Sequence, residues 1–305
     1  MAGLKYNNHC RQRQVRMHKR HAVFQGETVI SPQAGFTLIE LLVVIVIIAI
    51  IAAILLPVLH KAQQSAQSAA CLNNLRQLQI CWHLYYQDNN DVLAPNNSVA
   101  FIDPGTNVST GNIQGVSWLP DTDAKMEINP SAIINGLLYQ YNSQISIYHC
   151  PSDTSTLETP EGQPLSQLRW RSYNMSQSVN GDPWYDTNLW FTIPNWDKMT
   201  EIRQPDPTSI FVFIDEDSGS ILDAEFGNPP VNSPYYQQNV WWDLPSSRHN
   251  MGGNLSFVDG HVEHWRWVVP KVFSGDYSQS VGPAEMPDYK RIQNAMKQLW
   301  DPWDP

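Results

Sequence analysis

The sequence predicts an α+β chain in which one long N-terminal helix packs on a C-terminal antiparallel β-sheet domain. Three observations lead there. Leu41 to Leu56 contains no polar side chain, and with Phe36–Ile39 the run reaches the roughly 20 residues of a membrane-spanning helix. Leu72, Leu75, Leu78, Trp82, Tyr85 and Tyr86 then recur at three- and four-residue steps, the period of a helix with one buried face. After Asn89 the pattern changes to short β-branched or aromatic segments bounded by Pro, Gly, Asp and Asn.

Taken in order, residues 1–35 carry six of the 19 Lys and Arg against one acid, Glu27. The remaining chain holds 13 basic and 28 acidic residues, near −15. Such a balance argues against nucleic acid as a partner, because phosphate binding needs clustered positive charge. It also orients the chain: the basic segment stays cytoplasmic and the acidic bulk lies outside. Met17 is a second candidate start that keeps a basic beginning.

Residues 36–59 form the transmembrane stretch. Its only charge is Glu40, and a carboxylate at that place is a functional candidate, since burying it in lipid costs roughly 2.5–3.5 kcal/mol. Residues 60–91 continue the helix, with Pro57 only bending it, so that one helix is expected over 36–89. Residues 92–145 are rich in turn signals such as Pro95-Asn96-Asn97, Asp103-Pro104-Gly105 and Gly111-Asn112, with a short helix near 131–141. Strands are expected at 145–148, 172–175, 210–214, 254–258 and 261–267. Asp259-Gly260 reads as a two-residue hairpin turn, which would set Phe257 and Val262 on one face. The sheet domain is thus 92–270, and 271–305 is a tail with an amphipathic segment near 289–300.

Gly35-Phe36-Thr37-Leu38-Ile39-Glu40 followed by an apolar helix resembles the processing site of type IV prepilins and type II secretion pseudopilins. The resemblance implies a pilin-like fold that is not enzymatic. It implies cleavage after Gly35 by a prepilin peptidase, followed by N-methylation of Phe36. Glu40, the fifth residue of the processed chain, would be the assembly carboxylate, and Pro57 the kinking proline. Physically, Glu40 would neutralise the Phe36 amine of a neighbouring subunit, a pair being far cheaper in low dielectric than two lone charges. The implied partners are the peptidase, other pilin or pseudopilin subunits and an inner-membrane assembly platform. The implied location is the inner membrane, single-pass, with the C-terminal domain periplasmic or at the cell surface.

Further motifs narrow the resemblance. They are Ala70-Cys71-Leu72-Asn73-Asn74, Tyr148-His149-Cys150-Pro151-Ser152-Asp153, Ser172-Tyr173-Asn174-Met175-Ser176, and His249 followed after nine residues by Asp259-Gly260. Together they resemble the pilin-like family named for its processing-associated H-X9-DG domain.

Cys10 lies in the leader, which leaves Cys71, Cys81 and Cys150. Cys71 and Cys81 would stand roughly 15 Å apart along one helix, too far to bridge. A disulfide outside the cytoplasm would therefore join Cys150 to one of them, and the motifs favour Cys71; three free buried thiols are the alternative. His249, His261, His264 and Asp259 suggest a metal, but His261 and His264 would point to opposite faces of a strand. The plainer expectation is that Asp259-Gly260 makes the turn and His249 hydrogen-bonds a loop. Asp215-Glu216-Asp217 is a candidate calcium loop and Asp88-Asn89-Asn90-Asp91 a second; otherwise they are solvated acidic turns, and no other cofactor is implied. No Gly-x-Ser-x-Gly elbow, P-loop or His-Glu-x-x-His occurs. Trp184, Trp190, Trp196, Trp241, Trp242, Trp265 and Trp267 fall near the expected sheet. If exposed they would stack on sugar rings, so the alternative function is a membrane-anchored module binding glycans or secreted substrates. Core packing is the plainer role.

Overall fold

A computed structural model describes residues 36–102, 109–113, 116–120, 123–180, 194–232, 237–274 and 278–298, with backbone alone for 99–102 and 109–113. Residues 1–35 with Gly35 and Cys10, the turn expected at 103–105, Trp184, Trp190 and the residues from 299 lie outside them. The chain divides into two units, Met1–Ala52 and Ala53–Pro305.

Helix α1 runs unbroken over Leu38–Asp88 with Pro57 inside it. Within the first unit every described residue is exposed. Phe36 is 74% exposed and no residue of the apolar window is buried. In the second unit, α1 buries Cys71, Leu75, Leu78, Gln79, Cys81, Trp82 and Tyr85. Leu72 and Tyr86, expected in the same stripe, are only half-buried. The stripe is instead completed by Cys71, which precedes Leu75 by one helical turn.

The strands in chain order are β1 Val99–Ile102, β2 Ser109–Ile113, β3 Thr156–Glu158, β4 Pro164–Leu168, β5 Tyr173–Ser176 and β6 Phe211–Asp215. Then come β7 Glu225–Phe226, β8 Val240–Trp241, β9 Gly252–Phe257, β10 Val262–Arg266 and β11 Gln279–Ser280. The main sheet has the order β10-β9-β6-β5-β7. Its pairs are antiparallel except β5–β7, which is parallel, so the sheet is mixed rather than purely antiparallel. Three two-stranded ladders, β1–β2, β3–β4 and β8–β11, are separate from it.

The sheet separates two cores. Tyr173, Met175, Val212 and Phe213 join the α1 stripe, while Phe211, Ile214, Leu255, Phe257, Trp265 and Trp267 join the other. Val212 and Phe213 are neighbours in sequence yet share a core, because the β6–β9 register slips between Phe211 and Phe213. The second core is closed by the C-terminal helix Met286–Asn294 and the turn after it, through Tyr289, Ile292, Ala295 and Met296. The amphipathic segment expected in the tail is thus a packed layer of the domain.

Two expectations are corrected. Ile145–Tyr148 is a 3-10 helix, not a strand. Its apolar/polar alternation is only four residues long and Pro151 soon follows, so no ladder can extend; instead Asn74 of α1 donates to His149 O at 3.0 Å. The β9–β10 hairpin forms, but Val262 pairs with Ser256. Phe257 N donates to His261 O, leaving a three-residue connection closed by Gly260 at φ +96°. Phe257 therefore stacks on His261, with centroids 4.3 Å apart, and Val262 turns to the α1 side. One extra residue in the turn reverses the facing, because side chains alternate along a strand.

Candidate functional site

The N-terminal segment is built around Glu40. Thr37 N and Thr37 Oγ1 each donate to Glu40 Oε2 at 2.9 Å, and Glu40 N donates back to Thr37 Oγ1 at 3.2 Å. These reciprocal bonds form a capping box at the start of α1, which uses donors that a helix otherwise leaves unsatisfied. Thr37 is thus a positioning residue that sequence reasoning passed over, although Thr-x-x-Glu before an apolar run announces it. Glu40 is the one carboxylate in the exposed apolar stretch Phe36–Leu59.

The second cluster lies inside the Ala53–Pro305 unit, where the scattered motifs meet. Cys71 comes from α1, Cys150 from the loop after the 3-10 turn, Asp215 from the end of β6, and His249 from the turn Arg248–Met251 before β9. Their ligand atoms all lie within 4.8 Å of one another, and all four residues are buried. Cys150 Sγ is 3.2 Å from His249 Nε2, and Tyr173 donates its hydroxyl to Cys71 Sγ at 3.2 Å. Cys71, Cys81 and Cys150 are free thiols. His249, Asn250 and Met251 all have positive φ, between 57° and 65°. Three successive left-handed non-glycine residues are strained, and such strain gathers where a side chain must be aimed.

Arg248 pairs with Asp215 Oδ1 and, at 3.1 Å, with Asp153 Oδ2. Burial disfavours its charge, but Asp215 and Asp153 outweigh that and hold the guanidinium protonated. Burial would likewise raise Asp153, yet Arg248, the hydroxyl of Ser172 and the backbone N–H of Ser155 keep it below the usual carboxylate range. His249 is lowered by burial but pushed up to about 9 by Asp215 and Cys150 beside it. The Cys150 thiol is driven far up, chiefly by burial.

The other expected groups separate. Asp259 Oδ1 lies 2.5 Å from His261 Nδ1 at the hairpin turn, whereas His249 stands before the opposite end of β9. His264 alone stays beside His249, with ring centroids 6.5 Å apart, but its Nδ1 is 2.9 Å from Asn254 Oδ1, and His261 stacks on the other core. Asp215 and Glu216 are fully buried rather than solvated, and the three carboxylates diverge. Asp215 goes to Arg248, Glu216 accepts from Ser220 Oγ at 2.8 Å, and Asp217 accepts from Gly219 N at 2.8 Å. Asp91 accepts from Thr200 N at 3.1 Å, tying the end of α1 down. Among the described tryptophans, Trp82, Trp118, Trp196, Trp241, Trp265 and Trp267 are buried, in line with core packing, and Trp170 and Trp242 are half-buried.

A long apolar helix precedes an α+β domain, and by its length and composition that helix fits a single-pass membrane anchor. Residues 30–56 match the model of the prokaryotic N-terminal methylation motif. That match makes the chain similar, in this segment, to pilin-like and pseudopilin subunits, which a prepilin peptidase processes and which assemble with one another. No curated protein and no solved structure matches the chain.

Proposed function

We propose that this chain is a structural subunit of a pilus or pseudopilus rather than an enzyme. A prepilin peptidase cuts after Gly35 and methylates the new amine of Phe36. The subunit waits in the inner membrane with its N-terminus cytoplasmic and its C-terminal domain outside, and an assembly platform lifts it into the fibre. The observation that carries this reading is the methylation motif on a fully exposed apolar stretch, Phe36–Leu59, whose only charge is Glu40. Exposed apolar surface on this scale demands lipid or other copies of the helix around it. Within such a bundle Glu40 has a chemically matched partner in the Phe36 amine of a neighbour.

The first measurement is the N-terminal mass of the chain from the membranes of its host. A chain starting at N-methyl-Phe36 is expected. A chain that keeps Met1 or Met17, in cells whose other prepilins are processed, would make it a static anchor.

A further inference from the structure

We propose that Cys71, Cys150, His249 and Asp215 together bind one zinc-class divalent cation that ties α1 to the sheet. The donor set is two sulfurs, one imidazole nitrogen and one carboxylate oxygen. Soft thiolates with imidazole select zinc over the hard calcium or magnesium ions, and four protein ligands make a closed, structural site. The donors already lie within 4.8 Å of one another, with Cys150 Sγ and Asp215 Oδ2 each 3.2 Å from His249 Nε2. A tetrahedron built on zinc has edges of about 3.3–3.8 Å, so only a small contraction closes the site.

The surroundings aim these atoms at one another. Gln67 Nε2 donates to Pro151 O at 3.3 Å, which turns its Oε1 toward Ser152. Ser152 donates its one proton to that oxygen at 3.2 Å. His249 Nδ1, 3.3 Å from Ser152 Oγ, must then be the donor of that contact. In the neutral ring that a metal requires, Nε2 is left with its lone pair directed at Cys150 and Asp215. Such a bond on the far ring nitrogen is how proteins orient a metal-ligating histidine. Arg248 occupies only Oδ1 of Asp215, and Oδ2 accepts no hydrogen bond although the residue is fully buried. A buried carboxylate oxygen without a donor, facing an imidazole lone pair and two thiols, is a place for a cation. Metal binding would expel the two thiol protons to solvent and leave both sulfurs as thiolates. Two other occupants compete: a proton on His249, or a disulfide between Cys71 and Cys150.

The test is the metal content of the untagged full chain, extracted from membranes in detergent without chelator and then dialysed against zinc chloride. About one zinc per chain is expected, with two sulfur scatterers in its X-ray absorption spectrum. Ser152→Ala touches no ligand atom and should weaken zinc binding roughly 10–100-fold. Cys150→Ser should lose the metal, and the absorption spectrum of the unaltered chain stands whether or not that variant folds. Absence of zinc after dialysis would overturn the proposal, whether the thiols are then free or the mass is lower by two hydrogens.

Discussion

At the scale of single residues, the most consequential group outside the cation cluster is Asp153. Its carboxylate is 5% exposed and takes a 2.6 Å hydrogen bond from Ser172 besides the pair with Arg248. Its folded pKa is lowered, so its contribution is present above the unfolded value of about 3.9 and is lost as pH falls through the folded one. Asp153→Asn keeps the shape but removes the charge. At pH 7 the variant should be less stable by about 1–3 kcal/mol, the worth of hydrogen bonds to a charged group. Denaturant unfolding at a series of pH values would show this gap narrowing below about pH 4; a gap independent of pH would remove Asp153 from the account. Thr37 matters in the same local way, since it holds the Glu40 carboxylate against the helix start.

At the scale of elements, the β9–β10 hairpin depends on a close approach. A Cβ at Gly252 would meet His264 Cε1 at 2.3 Å and Trp265 O at 2.5 Å. The ring can rotate away, but the carbonyl belongs to the ladder in which Gly252 pairs with Arg266. Gly252→Ala is therefore expected to destabilise the Ala53–Pro305 unit by about 1–3 kcal/mol, the usual penalty of overpacking. Urea unfolding would measure it, and a midpoint equal to that of the parent chain would show that the hairpin tolerates the extra methyl. The C-terminal helix is the matching element on the far face. Tyr289 meets Trp241 edge-on at 4.8 Å, and Arg291 lies 3.8 Å over the Trp265 ring.

For the whole molecule, the deciding quantity is the apolar surface of Phe36–Leu59 set against a net charge near −15 over residues 36–305. One end demands lipid or helix partners; the other keeps the domain in water. Glu40→Val makes the segment wholly apolar, so membrane insertion should persist while recognition of the neighbouring amine is lost. Fibres or inter-subunit cross-links should disappear from cells expressing this variant, with its amount in the membrane unchanged. Fibres at parental abundance would mean that Glu40 is not the assembly group.

The sequence alone determined α1, the place of Glu40 within it, the Leu75–Tyr85 buried stripe and the existence of the β9–β10 hairpin. Each is written in a short-range code: an apolar run, a 3.6-residue period, or Asp-Gly between two strands. Tertiary structure decided the rest. A one-residue difference in turn length moved Val262 to the α1 side, and Ile145–Tyr148, tied to α1 through Asn74, is a 3-10 helix. The C-terminal helix became a core layer because the second face of the sheet needed cover. Above all, Cys71, Cys150, Asp215 and His249 belong to four segments far apart in the chain. Their meeting depends on where the sheet seats α1 and on a left-handed turn before β9, and local spacing carries no trace of either.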